Sequence, residues 1–257
     1  TSETLTMKIL VFFYILRVGL CQKGIQQVQY PSWADEAVFG RFQNVTKSLF
    51  ANLGTESYLV RTTSNNYVWR QGMSCVRATS RRMYDDVFNS TTTYKYSQPQ
   101  WHSVHATVYP TKKYDYILTK NGILNTEQGT GATTYYALAF SNYRSCSIYY
   151  GPNGAYSPAL DSGNYELWVT RDRVNSVPRC CDFMFKYLTL GQVIRDVYTS
   201  DCDSGHAGKG WTTSSTEKKI CMKTLASRDE YSIRKCNVRA FLTCSMAGCK
   251  EKAVSDA

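Results

Sequence analysis

The chain has 257 residues, enough for one large domain or two small ones, and a hydrophobic fraction of 43% that supplies a core and excludes wholesale disorder. Aromatics reach 14%, led by 20 tyrosines, which suits β-structure and pocket linings more than helix bundles. The net charge of +10 is spread with no basic run longer than a pair, and RNP-like and zinc-finger patterns are absent, which argues against nucleic acid as the partner.

The first element reads as a secretion signal that begins at Met7. Lys8 gives the positive flank, Ile9 to Leu16 (ILVFFYIL) the short apolar core, and Gly19 and Cys21 the small residues before a cut that leaves Gln22 first. That run is too short to span a bilayer, so no membrane insertion is expected. Residues 1–6 precede the initiator methionine and read as an untranslated leader. Ser32 can then cap a helix, with Asp35 three residues on. Phe39, Phe42, Thr46, Leu49 and Leu53 fall on one face at helical spacing, and Gly54 stops the helix.

From Ser57 to Thr170 the pattern changes to short β-like runs: YLVRTT, YVWRQGMSCVRAT, TTTYKYS, WHSVHATVY, YDYILT, TTYYALAF, SCSIYY and NYELWVT. Breaks fall at Asn65-Asn66, Asp85-Asp86, Pro99, Asn121-Gly122, Gly129 to Gly131 and Gly151 to Gly154. Eight strands in succession with hairpin-length connections point to an antiparallel barrel or sandwich. A second helix is expected over about Pro178 to Ile194, with Phe183, Tyr187, Leu190 and Ile194 at helical spacing, and a short extended piece over Asp196 to Thr199. Helix, eight strands, helix is the layout of a lipocalin barrel, mainly β, with both helices packed outside and room inside for one small ligand.

Residues 22–202 make up that domain. From Asp203 on, the chain turns polar and basic, with ten basic against six acidic residues and four of the ten cysteines. This 203–257 tail is read either as a basic extension, disordered or not, or as a translation artefact from read-through or a frame error. Loss of Cys21 with the signal leaves nine cysteines, so one is unpaired or joins a second chain; a monomer is expected, with a dimer through the odd cysteine as the alternative. Disulfides are the default outside the cell. The sequons Asn44-Val45-Thr46 and Asn89-Ser90-Thr91 mark Asn44 and Asn89 for glycosylation.

The stretch NYELWVTRDRVNSVPRCC carries the sharpest chemical signal. Alternation puts Asn164, Glu166 and Trp168 on one face and Tyr165, Leu167 and Val169 on the other. A carboxylate beside an indole suits an organic cation, through charge and cation–π attraction. Hydrophobicity alone would turn Tyr165, Leu167 and Val169 inward and leave the acid and the indole outside. His102 and His105 lie three apart on a strand, on opposite faces, which argues against a metal pair. No G-x-S-x-G, H-E-x-x-H or phosphate-loop pattern and no nucleophile–base pair is present, so neither an enzyme nor a cofactor is expected.

Several ordered landmarks resemble the tick histamine-binding family of salivary lipocalins: PSWADEAVFGRFQNVTKSL, SCVRAT, AFSNYRSCSIYY, YELWV, VPRCC and RDVYTSDC, over about Pro31 to Cys202. The resemblance implies disulfides from Cys75 to Cys202 and from Cys146 to Cys180 or Cys181. It turns Glu166 and Trp168 into the barrel, matches Trp69 to a tryptophan early in the second strand, and places Tyr67 and Asn66 at the mouth. It also exposes departures, since Asn52, Ala106 and Ser147 stand near positions where amine binders carry acids, Asn66 or Tyr67 where they carry an aspartate, and Asn125 where they carry a tyrosine. The implied function is a secreted scavenger of a host inflammatory mediator, a biogenic amine such as histamine or serotonin. The alternatives are an apolar ligand (eicosanoid, fatty acid or sterol), an inhibitor acting on a host protein through its surface, and a binder of anionic surfaces through the basic tail.

Overall fold

A computed structural model describes residues 30–63, 72–96, 100–151 and 163–203. The chain divides into two units, 1–31 and 32–257, and the barrel with its helices belongs to the second. The leader, the signal, residues Asn66, Tyr67 and Trp69, and the tail beyond Asp203 lie outside the described residues.

Eight antiparallel strands close into a barrel: β1 (Ser57–Thr62), β2 (Ser74–Tyr84), β3 (Val87–Lys95), β4 (Trp101–Thr111), β5 (Gly122–Glu127), β6 (Thr133–Ser141), β7 (Cys146–Gly151) and β8 (Asn164–Thr170). Neighbours in sequence pair in order, β8 returns to β1, and β1 meets β2 through Ser57–Ala78 and Tyr58–Arg77. Beyond Tyr58 the two strands diverge. A two-residue strand, β9 (Arg195–Asp196), pairs with Arg61 and Thr62 in the gap. The amide of Val197 donates to the Val60 carbonyl at 2.9 Å, and the amide of Cys75 donates to the Val197 carbonyl at 3.1 Å. The disulfide Cys75–Cys202 pins this seam. This is the lipocalin barrel expected from the sequence.

Three elements differ from expectation. The single N-terminal helix is two: α1 (Glu36–Phe39), capped by the Asp35 side chain, and α2 (Val45–Ala51), capped by Asn44, whose side chain accepts the Lys47 amide at 2.8 Å. A 3-10 turn, Gly40–Phe42, separates them. Two residues able to cap compete with one continuous helix, and the break lets Gln43 turn inward, where its Nε2 donates to the carbonyls of Trp33 and Ala139. The YDYILT segment is a loop, not a strand. Tyr114 and Asp115 have φ of 56° and 58°, and the amides of Ile117, Leu118 and Thr119 donate to the Glu36 carboxylate instead of to a neighbouring strand. The fifth strand is Gly122–Glu127 in its place. Finally, α3 (Arg179–Leu188) stops six residues short of Ile194. The Thr189 hydroxyl donates back to the Phe185 carbonyl at 2.8 Å and Gly191 takes a φ of 80°, so the backbone leaves the helix there.

The main hydrophobic core lies outside the barrel, between its wall and the helices. Tyr58, Ile148, Tyr165, Leu167 and Val169 face Trp33, Phe39, Phe42 and the buried stripe of α3, Cys181, Met184 and Phe185. Each such side chain contributes roughly 1.5–3 kcal/mol by burial. Phe183 and Leu190, expected on the packing face, are exposed. The Cys146–Cys181 disulfide and the Arg61–Asp182 ion pair at 2.5 Å hold α3 in this rotation. A smaller cluster (Val45, Phe88, Val108, Ile123, Leu138) fills the barrel end that α2 covers.

Candidate functional site

With the core outside, the inward positions of the wall are free to be polar. The β-bulge between Leu59 and Arg61 sets the register: Trp168 faces Leu59 and Glu166 faces Thr62, while Arg61 stays outside to meet Asp182. Glu166, Trp168 and Thr170 therefore line the cavity, and Tyr165, Leu167 and Val169 pack outside. Hydrophobicity alone would give the reverse, because it takes the interior of a barrel to be its core. Here the helices supply the apolar partner.

The cavity measures about 150 Å³. Glu166 is only 5% exposed and is the one carboxylate among the described residues that line it. The Trp168 Nε1–H donates to Glu166 Oε2 at 2.9 Å, and the indole packs against the small cluster of Leu59, Val76 and Val197, which fixes the ring beside the acid. Directly across the β7–β8 ladder, Tyr149 opposes Glu166 and Ser147 opposes Trp168. Burial, reinforced by the Glu166 charge, pushes the Tyr149 phenol up to about 12, so it is neutral at any physiological pH.

A chain of buried hydroxyls backs this corner. Ser141 donates to the Cys146 carbonyl at 3.0 Å, Ser147 donates to Ser141 at 3.1 Å, and Ser48, carried inward on α2, lies 2.9 Å from Ser147. Asn52, at the C-terminus of α2, donates to the Ser48 carbonyl at 2.8 Å. Asn125 on β5 has a buried Oδ1 without a hydrogen-bond partner. Asn52, Asn125 and Ser147, the departures inferred from the family resemblance, all reach the cavity wall. Ala106 is half-buried on β4 and is not among the lining residues.

The sequence pointed to Glu166 and Trp168, and the structure brings them together. Tyr149 and Ser48 were not singled out. Cys146 offered the signal for Tyr149, because a strand that turns this cysteine outward to α3 must turn Ser147 and Tyr149 inward. Among the described residues Cys75 pairs with Cys202 and Cys146 with Cys181, and Cys180 is itself disulfide-bonded. Asn44 caps α2, and Asn89 sits on β3 opposite Arg81 and Thr107. His102 stacks on Tyr94, whereas His105 meets the Thr91 hydroxyl at 3.0 Å, and no metal-holding cluster occurs among the described residues.

The sequence profile of the tick histamine binding protein family matches residues 33–204. The male-specific histamine-binding salivary protein of Rhipicephalus appendiculatus is 34% identical over 202 residues, covering 76% of this chain and 96% of that protein. The female-specific histamine-binding protein 1 of the same tick is 32% identical over 179 residues, covering 67% and 88%. Among solved structures, the AM182 serotonin complex is 26% identical with a TM-score of 0.44, covering 62% of this chain and 92% of that one.

Proposed function

Since the chain belongs to the tick histamine-binding protein family, we propose that it is a secreted scavenger that captures a small biogenic amine of the host, such as histamine or serotonin, inside its barrel and so blunts the inflammatory response. One observation carries the proposal: a buried carboxylate, Glu166, held by the indole N–H of Trp168 on the wall of the cavity. A carboxylate taken out of water costs several kcal/mol unless a cation or hydrogen bonds repay it. An ammonium ion at that position supplies the charge, and Trp168 supplies a ring face for it. Trp69, Tyr67 and Asn66 would complete the mouth.

The size of the cavity favours the smaller of the two ligand classes left open by the sequence. About 150 Å³ is the scale of a small aromatic molecule, as an engineered cavity of that volume holds benzene. Drug-sized ligands occupy roughly 300–1,000 Å³, so the measured space favours a small amine over a sterol or an eicosanoid. The chemistry is stoichiometric capture, and the ligand leaves unchanged. Cleavage after Cys21, glycosylation at Asn44 and Asn89, and a monomeric state belong to the same proposal. Intact-mass measurement of the secreted protein tests the mature start at Gln22 and the presence of residues 203–257.

Calorimetric titration with histamine, serotonin and a panel of eicosanoids tests the ligand class. Saturable heat with at least one amine, at one site per chain, is the expected result. No heat with amines, together with a co-purifying lipid in native mass spectrometry, overturns the amine reading in favour of the apolar one.

A further inference from the structure

Buried polar side-chain atoms in folded proteins are nearly always paired, because an unpaired one loses its water without a replacement. Among the described residues four have no partner: Thr46 Oγ1, Thr111 Oγ1, Asn121 Nδ2 and Asn125 Oδ1. Of these residues only Asn125 lines the cavity. Its surroundings on β5 are apolar. Val108 faces it across the β4–β5 ladder and Ile123 precedes it on the same face of the strand, and both belong to the small cluster that fills the covered end of the barrel. Thr134, its register partner on β6, leaves the oxygen unmet. An apolar residue would extend the cluster here, so the fold itself gains nothing from an asparagine. A half-turn about the Cβ–Cγ bond exchanges the carboxamide oxygen and amino group without changing the shape of the side chain. Asn125 can therefore turn either an acceptor or a pair of donors to the cavity.

We infer that Asn125 is a specificity-determining residue: its carboxamide hydrogen-bonds a hydroxyl group carried on the ligand's aromatic ring, and the pocket thereby selects ring-hydroxylated amines over amines with a bare ring. The inference rests on the amine reading above for the class of ligand, and on Asn125 for the rule of selection. Strands β6 and β7 separate β5 from β8, so Asn125 stands on a different wall from Glu166 and Trp168 and is placed to meet another part of the same ligand. A hydroxyl both donates and accepts, so it satisfies the carboxamide in either orientation. A bare ring in the same place leaves the oxygen as unpaired as it is in the free protein. That asymmetry makes the choice measurable, because a site with a polar group set to pair with a ligand hydroxyl discriminates against the analogue that lacks it.

Calorimetric titration of the full chain with two ligand pairs, tyramine against phenethylamine and serotonin against tryptamine, tests this. The members of each pair differ by one ring hydroxyl. In the wild type the hydroxylated member of at least one pair should bind about tenfold tighter than its bare-ring counterpart. In Asn125→Leu and Asn125→Ala that ratio should fall to about one. A change of bulk at position 125 acts on both members of a pair alike, so the ratio isolates the hydrogen bond from packing. The free Asn125→Leu protein should melt no lower than the wild type, since the substitution removes a polar atom that has no partner. A preference for the hydroxylated ring that survives in both variants assigns the selection to another residue and overturns the inference. So does a wild type indifferent to the hydroxyl in both pairs, a measurement that needs no variant to fold. Failure of all four amines to bind overturns the proposed function as well, and that outcome is distinct from binding without discrimination.

Discussion

Replacing Glu166 by glutamine separates the cost of the carboxylate from its use. The side chain is 5% exposed, and its Oε2 accepts the Trp168 indole N–H at 2.9 Å. Glutamine has the same shape and keeps a carbonyl oxygen for that donor, so the wall should not rearrange. Exchanging a buried charge for a neutral isostere is neutral or stabilising, by about 1 kcal/mol here, which for a domain of this size raises Tm by roughly 2–4 °C. Ligand binding should move the other way. Removing one partner of a desolvated charge pair costs about 2–5 kcal/mol, which is about 30-fold to a few thousandfold in Kd. Differential scanning calorimetry of the free protein and calorimetric titration with the best amine ligand measure the two halves. Amine affinity unchanged in a folded Glu166→Gln variant refutes the role given to the carboxylate. A Tm lowered by more than a few degrees would instead make Glu166 part of the scaffold.

Three other perturbations test the scaffold around the site. Replacing both Cys75 and Cys202 by serine opens a loop of 127 residues; chain entropy sets a ceiling of about 5 kcal/mol, or a fall of roughly 10–20 °C in Tm, and hydrogen exchange should show the Val197 amide losing protection as β9 leaves the seam. In Gly151→Ala the added Cβ would stand 2.4 Å from Cε1 of Tyr136, a ring that lines the cavity; overpacking of about 1–3 kcal/mol should appear as a lower Tm, and the displaced ring should weaken amine binding. The carboxyls of Glu36 and Asp182 are both held below their ordinary values despite desolvation, the first by the amides of Ile117 to Thr119 and the second by Arg61 and Lys186. A depressed folded pKa gives stability that is complete above the ordinary carboxylate range and is lost as pH falls through the lower folded values. Amide protection factors, which take out the intrinsic pH dependence of exchange, should therefore fall below about pH 4 in the 114–119 loop and in α3, against a flat profile between pH 5 and 7.

Placing the main core outside the barrel has a functional consequence. Stability comes from the contact of β1, β6, β7 and β8 with α1 and α3, where Phe140, Ile148, Leu167, Met184 and Phe185 are fully buried. The inward faces of the same strands are then relieved of packing and can carry Glu166, Ser147 and Tyr149 around an open space. Asn52, Asn125 and Ser147 line the same space, away from the main core.

The sequence by itself determined the fold class, the order of most strands, the tight turn at Asp85-Asp86 and the acid–indole pair on β8. These depend on alternation, turn residues and spacing, which are local properties of the chain. Register Tyr84–Val87, for example, makes Asp85-Asp86 a two-residue hairpin, as that pair of turn formers suggests. Tertiary structure alone decided that Glu36 draws the YDYILT amides out of any sheet, that Cys181 and not Cys180 meets Cys146, and that α3 turns Met184 inward and Phe183 out. It also decided which face of β8 is the inside, because alternation defines two faces and names neither. That choice belongs to the helices, which cover one side of the wall with apolar surface and leave the other to Glu166, Trp168 and the hydroxyls that meet them.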